Sequence, residues 1–363
     1  MPNIRQSHGG TKNSKHTTIG VLTGGGDCPG LNAAIRAVTR RAGRDGVPVW
    51  GIHEGFQGLY DGRMKLLGSL DIAGIISRGG TILGTSRFNP LTHPDGIKKI
   101  KKILRKRNIS CLVAIGGEGT QRCAYELHQN GVPCIGVPKT IDNDVFGTDF
   151  TFGFDTAVAI ATEAIDRLHT TAESHNRAML IEVMGRHTGW IATMAGIAGG
   201  ADAILIPEEV FPLSRLIQII QTRRKAGKKF SIIVVSEDAK ILLDLYKGKK
   251  ELLKTPMGQD EYGHLKLGGI TSLLEKELRR YLNMEIRSTI LGYIQRGGSP
   301  TAYDRVLATR LGVAAAELAI QGKSGLMVAL NGNRINSIPL RKVVQRLKTV
   351  DMKIYKVGEV FFD

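Results

Sequence analysis

Cys111-Leu112-Val113-Ala114-Ile115-Gly116-Gly117-Glu118-Gly119-Thr120 is the stretch that decides the fold class of this chain. Five apolar residues without polar alternation read as a strand buried on both faces. The glycines behind them make a tight turn, and residues 121–129 continue as a helix. Strand, glycine turn and helix in that order are half of a βαβ unit. The order occurs upstream as well. Apolar residues 19–23 lead into Gly24-Gly25-Gly26-Asp27-Cys28-Pro29-Gly30-Leu31-Asn32, then a helix with Leu31, Ala34, Ile35 and Val38 on one face. Further apolar runs at 49–52, 134–137, 178–184, 203–206, 230–236 and 289–293 predict strands of mostly parallel sheets. At 363 residues the chain suits two α/β domains of ordinary size.

Composition narrows the function. The 45 glycines imply several turns where backbone must bend sharply or approach a ligand closely. The formal charge of +17 attracts polyanions, so nucleic acid has to be weighed. Aromatic residues make up only 6%, however, and no RNP, zinc-finger or helix-turn-helix pattern is present. The longest basic run, residues 98–107, has Ile97, Ile100, Ile103 and Leu104 at helical spacing, which predicts an amphipathic helix with a solvated lysine face. Small phosphorylated substrates suit a basic protein as well, and no nucleic-acid partner is expected. Cys28, Cys111, Cys123 and Cys134 show no CxxC spacing and read as free thiols of a reducing cytoplasm. No signal peptide or apolar stretch of membrane-spanning length is evident, so no membrane partner is expected. Residues 1–17 are polar and patternless, as in a disordered leader. Residues 242–267, with Lys247-Gly248-Lys249-Lys250, Pro256 and Gly258, break the α/β rhythm like an insertion. The region after Leu340 is basic and weakly patterned.

In parallel α/β sheets the chemistry sits at the carboxyl ends of the strands. There the 24–32 loop offers free N–H groups and the positive end of a helix dipole, which suit phosphate. Taken alone it is equally a plain tight turn, and it matches neither G-x-G-x-x-G nor a Walker lysine loop. In the 116–120 loop the glycines clear space for phosphates, while Glu118 suits a Mg²⁺ that bridges them. A first-turn glutamate favoured by the dipole is the plainer alternative. The third loop is Pro138-Lys139-Thr140-Ile141-Asp142-Asn143-Asp144. Phosphoryl transfer to an alcohol needs a carboxylate to take the hydroxyl proton and cations to hold phosphate. An Asx-rich turn is the ordinary alternative there. Three such loops in one chain point jointly to phosphoryl transfer.

These segments resemble the 6-phosphofructokinases. Gly25-Gly26-Asp27 with Pro29-Gly30 and Asn32, the two loops just quoted, Met184-Gly185-Arg186, and Leu291-Gly292-Tyr293-Ile294-Gln295-Arg296-Gly297-Gly298-Ser299-Pro300 match that family, with similarity over residues 18–330. The resemblance implies two Rossmann-like three-layer αβα domains with mostly parallel sheets and an active site in the cleft between them. Residues 18–153 plus about 295–345 would form a larger donor-binding domain. Residues 154–294 plus the C-terminal segment would form a smaller fructose 6-phosphate-binding domain. The implied reaction is Mg²⁺-dependent transfer of the ATP γ-phosphoryl group to the 1-hydroxyl of fructose 6-phosphate, giving fructose 1,6-bisphosphate in glycolysis. Asp142 would be the base, Thr140 would position the transferred group, and Arg186 would meet its developing charge. Glu118 stands at the family's magnesium-binding acidic position, usually an aspartate, with Asp144 as a possible helper. Gly25, Arg87, Phe88, Gly117, Gly119, Thr120 and Lys139 would line the donor site. Met184, Gly185, Glu237 and Arg296 would hold the sugar, with Tyr293 where many bacterial members have histidine. Arg177 and Arg287 match arginines that reach the 6-phosphate from an adjacent subunit of a homo-oligomer, a tetramer or a dimer.

The resemblance leaves two donors open. Pyrophosphate users commonly carry aspartate where this chain has Gly119, and a carboxylate there repels the nucleotide α-phosphate. ATP users of the bacterial type have glycine where this chain has Lys139, the residue of pyrophosphate users. Gly119 weighs more, because a repulsive carboxylate excludes nucleotide outright whereas an added cation does not. ATP is therefore the expected donor. Arg36 and Arg40 resemble part of the family's effector-phosphate site, but His169 and the Gly68-Ser69 region depart from it, so weak or absent ADP activation is expected. Three rivals are disfavoured. NAD-kinase-like and lipid-kinase-like chains share a GGDGT-type box but not the 138–144 and 295–299 motifs. Non-catalytic sugar-phosphate-binding paralogues usually lose the base or the arginine that Asp142 and Arg186 supply here. The third, a nucleic-acid module, rests on charge alone. Gly119→Asp should abolish turnover with ATP; unchanged ATP-dependent rates in that variant would defeat the steric argument.

Overall fold

The computed structural model describes residues 17–244, 251–253 and 269–362. Residues 1–16 of the expected leader and most of the 242–267 insertion lie outside these residues. The strands are β1 (Ile19–Thr23), β2 (Val49–Ile52), β3 (Met64–Leu66), β4 (Cys111–Gly116), β5 (Cys134–Thr140), β6 (Phe152–Gly153), β7 (Ala178–Val183), β8 (Ala203–Leu205), β9 (Val210–Pro212), β10 (Ser231–Ser236), β11 (Lys240–Leu243), β12 (Glu251–Leu252), β13 (Ile286–Ile290), β14 (Leu326–Asn331) and β15 (Arg334–Pro339). The helices are α1 (Leu31–Arg44), α2 (Gly55–Asp61), α3 (Gly96–Lys106), α4 (Glu118–Gln129), α5 (Phe154–His175), α6 (Trp190–Ala198), α7 (Leu213–Lys225), α8 (Ile270–Leu278), α9 (Ala302–Ile320), α10 (Leu340–Val343) and α11 (Met352–Glu359). They form two units: residues up to 140, 145–152 and 299–346 make the first, and 141–144, 153–298 and 347 onwards the second.

The sheet of the first unit runs β15-β14-β5-β4-β1-β2-β3, with the two-residue β6 beside β5. It is parallel except for its outer partners β3 and β15. From β1 the chain moves to β2 on one side and later to β4 on the other, so β1 and β4 flank the point where strand order reverses. One face is covered by α2, α3 and α4, which contribute Phe56, Leu59, Ile100, Leu104, Cys123, Ala124 and Leu127 to a shared core. The other face receives α1 and α9. These pack so closely that a Cβ on Gly312 would stand 2.7 Å from the Ala34 carbonyl oxygen. The basic run forms α3 as expected, with Ile100 and Leu104 buried. All four cysteines are buried, and burial pushes the Cys111 thiol up to about 12.

In the second unit β13-β7-β10-β8 is wholly parallel, with β7 and β10 central and buried at every residue. Its core joins Leu180, Ala203, Leu205, Ile233 and Val235 to Leu216, Ile220, Leu274 and Leu278 from the helices. The described part of the 242–267 region completes a small ladder, β11 pairing parallel with β9 and antiparallel with β12. The expected strand at 289–293 lies three residues earlier, at Ile286–Ile290, because Gly292–Arg296 turns into a 3-10 helix. Periodicity also gave no sign of β14 and β15, a hairpin closed by Gly332 with φ 54°.

Glu182 is a buried carboxylate near the end of β7, 1% exposed. It accepts hydrogen bonds from Gly269 N (2.8 Å), Thr271 N (3.1 Å) and Thr271 Oγ1 (2.8 Å). It thereby supplies the acceptor that the start of α8 lacks from its own cap residue, Gly269. Glu182→Ala leaves these donors without a partner and is expected to cost about 3 kcal/mol of unfolding free energy in denaturant titrations. A loss below about 0.5 kcal/mol would contradict this account.

Candidate active site

In the first unit the glycine turn behind β1 lies against the one behind β4, since Thr23 is in register with Ile115 and Gly24 N donates to the Ile115 carbonyl at 2.9 Å. Thr120, from the first turn of α4, sits against both. A Cβ on Gly24 would come within 2.7 Å of its Oγ1, and one on Gly116 within 2.2 Å. Only glycine allows that approach. Gly25 adopts φ 75°, its N–H donates to Ser86 O, and Thr85 Oγ1 donates to its carbonyl at 2.6 Å. Asn32 braces the neighbouring loop through Arg78 O, Gly79 O and Ile82 N.

Lys139, on β5, is 2% exposed, and its ammonium donates to Gly24 O at 3.1 Å and to Gly26 O. The lysine expected to meet phosphate thus also holds the glycine turn. Glu118 opens α4 above a cap residue, Gly117, that offers no side-chain acceptor, so first-turn N–H groups remain to meet an anion. Its carboxylate pairs with Arg122 at 2.6 Å. A Cβ on Gly119 would meet nothing within 4 Å. Phe88 stacks on His93 (4.8 Å between centroids) and against Tyr60 (5.2 Å), while Arg87 is exposed.

In the second unit Met184–Arg186 and Glu237 stand at the carboxyl ends of β7 and β10. The Met184–Arg186 segment follows β7 directly, and three side chains hold its backbone. Gln295 Oε1 accepts from Met184 N, Glu237 Oε1 accepts from Gly185 N (both 3.3 Å), and Ser236 Oγ donates to Gly185 O at 2.8 Å. Gly185 has φ 147°, and a Cβ there would meet Thr188 O at 2.6 Å, so the turn demands glycine. Thr188 Oγ1 donates to the Asp142 carbonyl at 3.2 Å, tying the 141–144 turn to this segment. Asn143, buried at φ 51°, reverses the chain between the two carboxylates, a conformation asparagine tolerates.

Burial pushes the Glu237 carboxyl up to about 7, and the Asp142 and Glu182 charges push the same way against the Gly185 N–H and Arg296. Burial pushes the Asp238 carboxyl up, against the nearby charges of His187, Lys240 and Arg186. Arg296 sits over the Tyr293 ring at 5.3 Å, and that ring is exposed. Sequence reasoning missed Ser236, Thr188, Glu208 and Thr85 as parts of these loops. Ser236 alone had a signal, as the polar residue ending an apolar strand.

Arg177 and Arg287 are not brought to this group. Both bind Glu285 at 2.5 Å, Arg177 just before β7 and Arg287 beside Met179 in the ladder. That is the amino end of the strands, roughly 20 Å along β7 from Met184.

A family model described as Phosphofructokinase matches residues 18–319. The chain belongs to the phosphofructokinase family. Phosphofructokinases similar to it carry either donor in their names. The "Pyrophosphate--fructose 6-phosphate 1-phosphotransferase" of Amycolatopsis mediterranei is 50% identical over 95% of this chain and 99% of its own. The "ATP-dependent 6-phosphofructokinase" of Corynebacterium efficiens is 50% identical over 95% and 98%. Among solved structures, the phosphofructokinase of Saccharomyces cerevisiae superposes with a TM-score of 0.77 at 31% identity, covering 95% of this chain and 47% of the yeast chain.

The Glu237 carboxyl gives a signed prediction. With a folded value near 7 against an ordinary 4.5, its contribution to stability is full below pH 4.5 and is lost as pH rises through about 7. Glu237→Gln should therefore lose less unfolding free energy than the parent between about pH 5 and pH 8 in denaturant titrations. Equal losses in the two proteins would refute the shift.

Proposed function

We propose that this chain is a 6-phosphofructokinase transferring the γ-phosphoryl group of ATP to the 1-hydroxyl of fructose 6-phosphate, in the cytoplasm and in glycolysis. The observation that carries the reading is the Thr188–Asp142 hydrogen bond, which joins the 141–144 turn to the Arg186 segment, with Glu237 close enough to feel the Asp142 charge. Asp142 would accept the hydroxyl proton and Arg186 would meet the charge developing on the transferred group, while Glu237, Met184 and Arg296 position the sugar. Thr140, two residues before the base, would orient the phosphoryl group. The glycine turns and the α4 N-terminus would receive the donor phosphates.

Among the described residues no group of three or more His, Cys, Asp or Glu could cage a metal. That suits Mg²⁺, which is commonly held by one or two carboxylates plus substrate phosphates. Glu118 would hold it, in competition with Arg122, and the ion would neutralise charge on the donor. The open space at Gly119 favours ATP; the cation at Lys139 keeps pyrophosphate as the alternative. Because Arg177 and Arg287 stand at the far end of β7, they would serve the 6-phosphate of a neighbouring copy in a homo-oligomer. Among the described residues no helix is long and apolar enough to cross a membrane.

A coupled assay with fructose 6-phosphate and Mg²⁺, offering ATP and pyrophosphate separately, should show turnover with ATP. Asp142→Asn should lower kcat by about two to four orders of magnitude. Mixing refolded Asp142→Asn and Arg287→Ala chains should restore activity above either alone. Turnover with pyrophosphate only would overturn the donor, and mixtures no better than their parts would overturn the shared site.

A further inference from the structure

The weakly patterned region near the C-terminus makes three hydrogen bonds that no requirement of the sheet explains. Lys348 N–H donates to the Asp144 carbonyl at 2.9 Å. The Lys348 carbonyl accepts from Trp190 Nε1 at 3.1 Å. Val350 N–H donates to Glu208 Oε1 at 2.9 Å, and the same carboxylate accepts from Gly189 N at 3.1 and 3.0 Å. Two functional segments are therefore held by one strand of backbone. Asp144 ends the turn that carries Asp142, while Gly189 and Trp190 end the segment that carries Arg186.

The strap is itself well anchored. Val350 is 4% exposed. Asp351 caps α11 by accepting from Lys353 N at 2.9 Å. From α11, Tyr355 is fully buried and donates its hydroxyl to Ile204 O at 2.8 Å. The indole is fixed too, edge-on to Phe154 at 6.4 Å and with the Lys348 ammonium 5.0 Å from its ring centroid. A backbone fixed at one end by a buried tyrosine can hold the groups it bonds to far better than a loop bonded only to itself.

We propose that residues 348–350 are a positioning strap, setting the base turn and the arginine segment relative to one another, with Trp190 and Glu208 as its positioning residues. The inference rests on the phosphofructokinase reading above and extends it to residues that touch neither substrate. Proton acceptance and charge stabilisation act on one phosphoryl transfer, and a displacement near 1 Å can cost a hundredfold in rate. Binding of either substrate through other contacts depends on the strap far less. Loss of the strap should therefore appear in kcat and not in KM.

The test uses the full chain and four variants. Trp190→Phe keeps an aromatic ring but deletes the N–H. Lys348→Pro deletes the donor to Asp144. Glu208→Ala removes the shared acceptor, and Glu208→Gln retains an amide oxygen that can still accept. Each of the first three should lower kcat about tenfold with both KM values within about twofold, and Glu208→Gln should recover most of the loss. Because the strap acts as one unit, Trp190→Phe combined with Lys348→Pro should cost no more than the worse single change. Unchanged kcat in Trp190→Phe and Lys348→Pro would overturn the proposal. So would losses confined to KM, or a rate that merely follows the folded fraction measured by circular dichroism. A parent protein inactive with both phosphoryl donors would instead defeat the underlying reading of function.

Discussion

A parallel sheet covered by helices on both faces has few places for a polar ligand, and its connectivity decides where they fall. In the first unit β1 and β4 are neighbours at the point where the strand order reverses. The two glycine turns meet there because Thr120 fills the room that any Cβ on Gly24 or Gly116 would need. The absence of Cβ atoms at these two positions is what the contact between the two turns depends on.

The second unit solves a different problem with the same device. Its residues must hold an arginine and a carboxylate still in a setting where burial and like charge work against ionisation. Glu237 is the evidence for that setting, pushed up to about 7 by desolvation and by the Asp142 charge. Gln295, Ser236 and Glu237 fix the backbone of the Met184–Arg186 segment in place. Pre-set geometry of this kind depends on side chains remote in sequence, which is why it could not be read from any one motif.

Strand identity was legible wherever burial removes the ambiguity of period. Residues 111–116 and 232–235 are apolar throughout because helices press on both faces, and they announce themselves. The strand at Ile286–Ile290 is an edge with half its residues solvated, so apolar content pointed three residues too late. Helix α3 was legible from Ile100 and Leu104, whose spacing only a buried stripe rewards. The loops were legible as glycine and carboxylate clusters, but their bracing was not. Ser236 and Thr188 each donate to one backbone carbonyl and Glu208 accepts from two backbone N–H groups, and a lone serine or glutamate in a sequence carries no mark of its acceptor or donor. Lys139 was visible as a cation beside the base turn, while its bonds to Gly24 and Gly26 needed the fold.

Gly119 bears on how such a protein changes over time. Gly119 stands in the first turn of α4, where the helix does not require glycine and a Cβ would meet nothing within 4 Å. That space borders no packed atom. Core rearrangement is therefore not required to fill it. A position so undemanding structurally can change its side chain while the scaffold around it stays as it is.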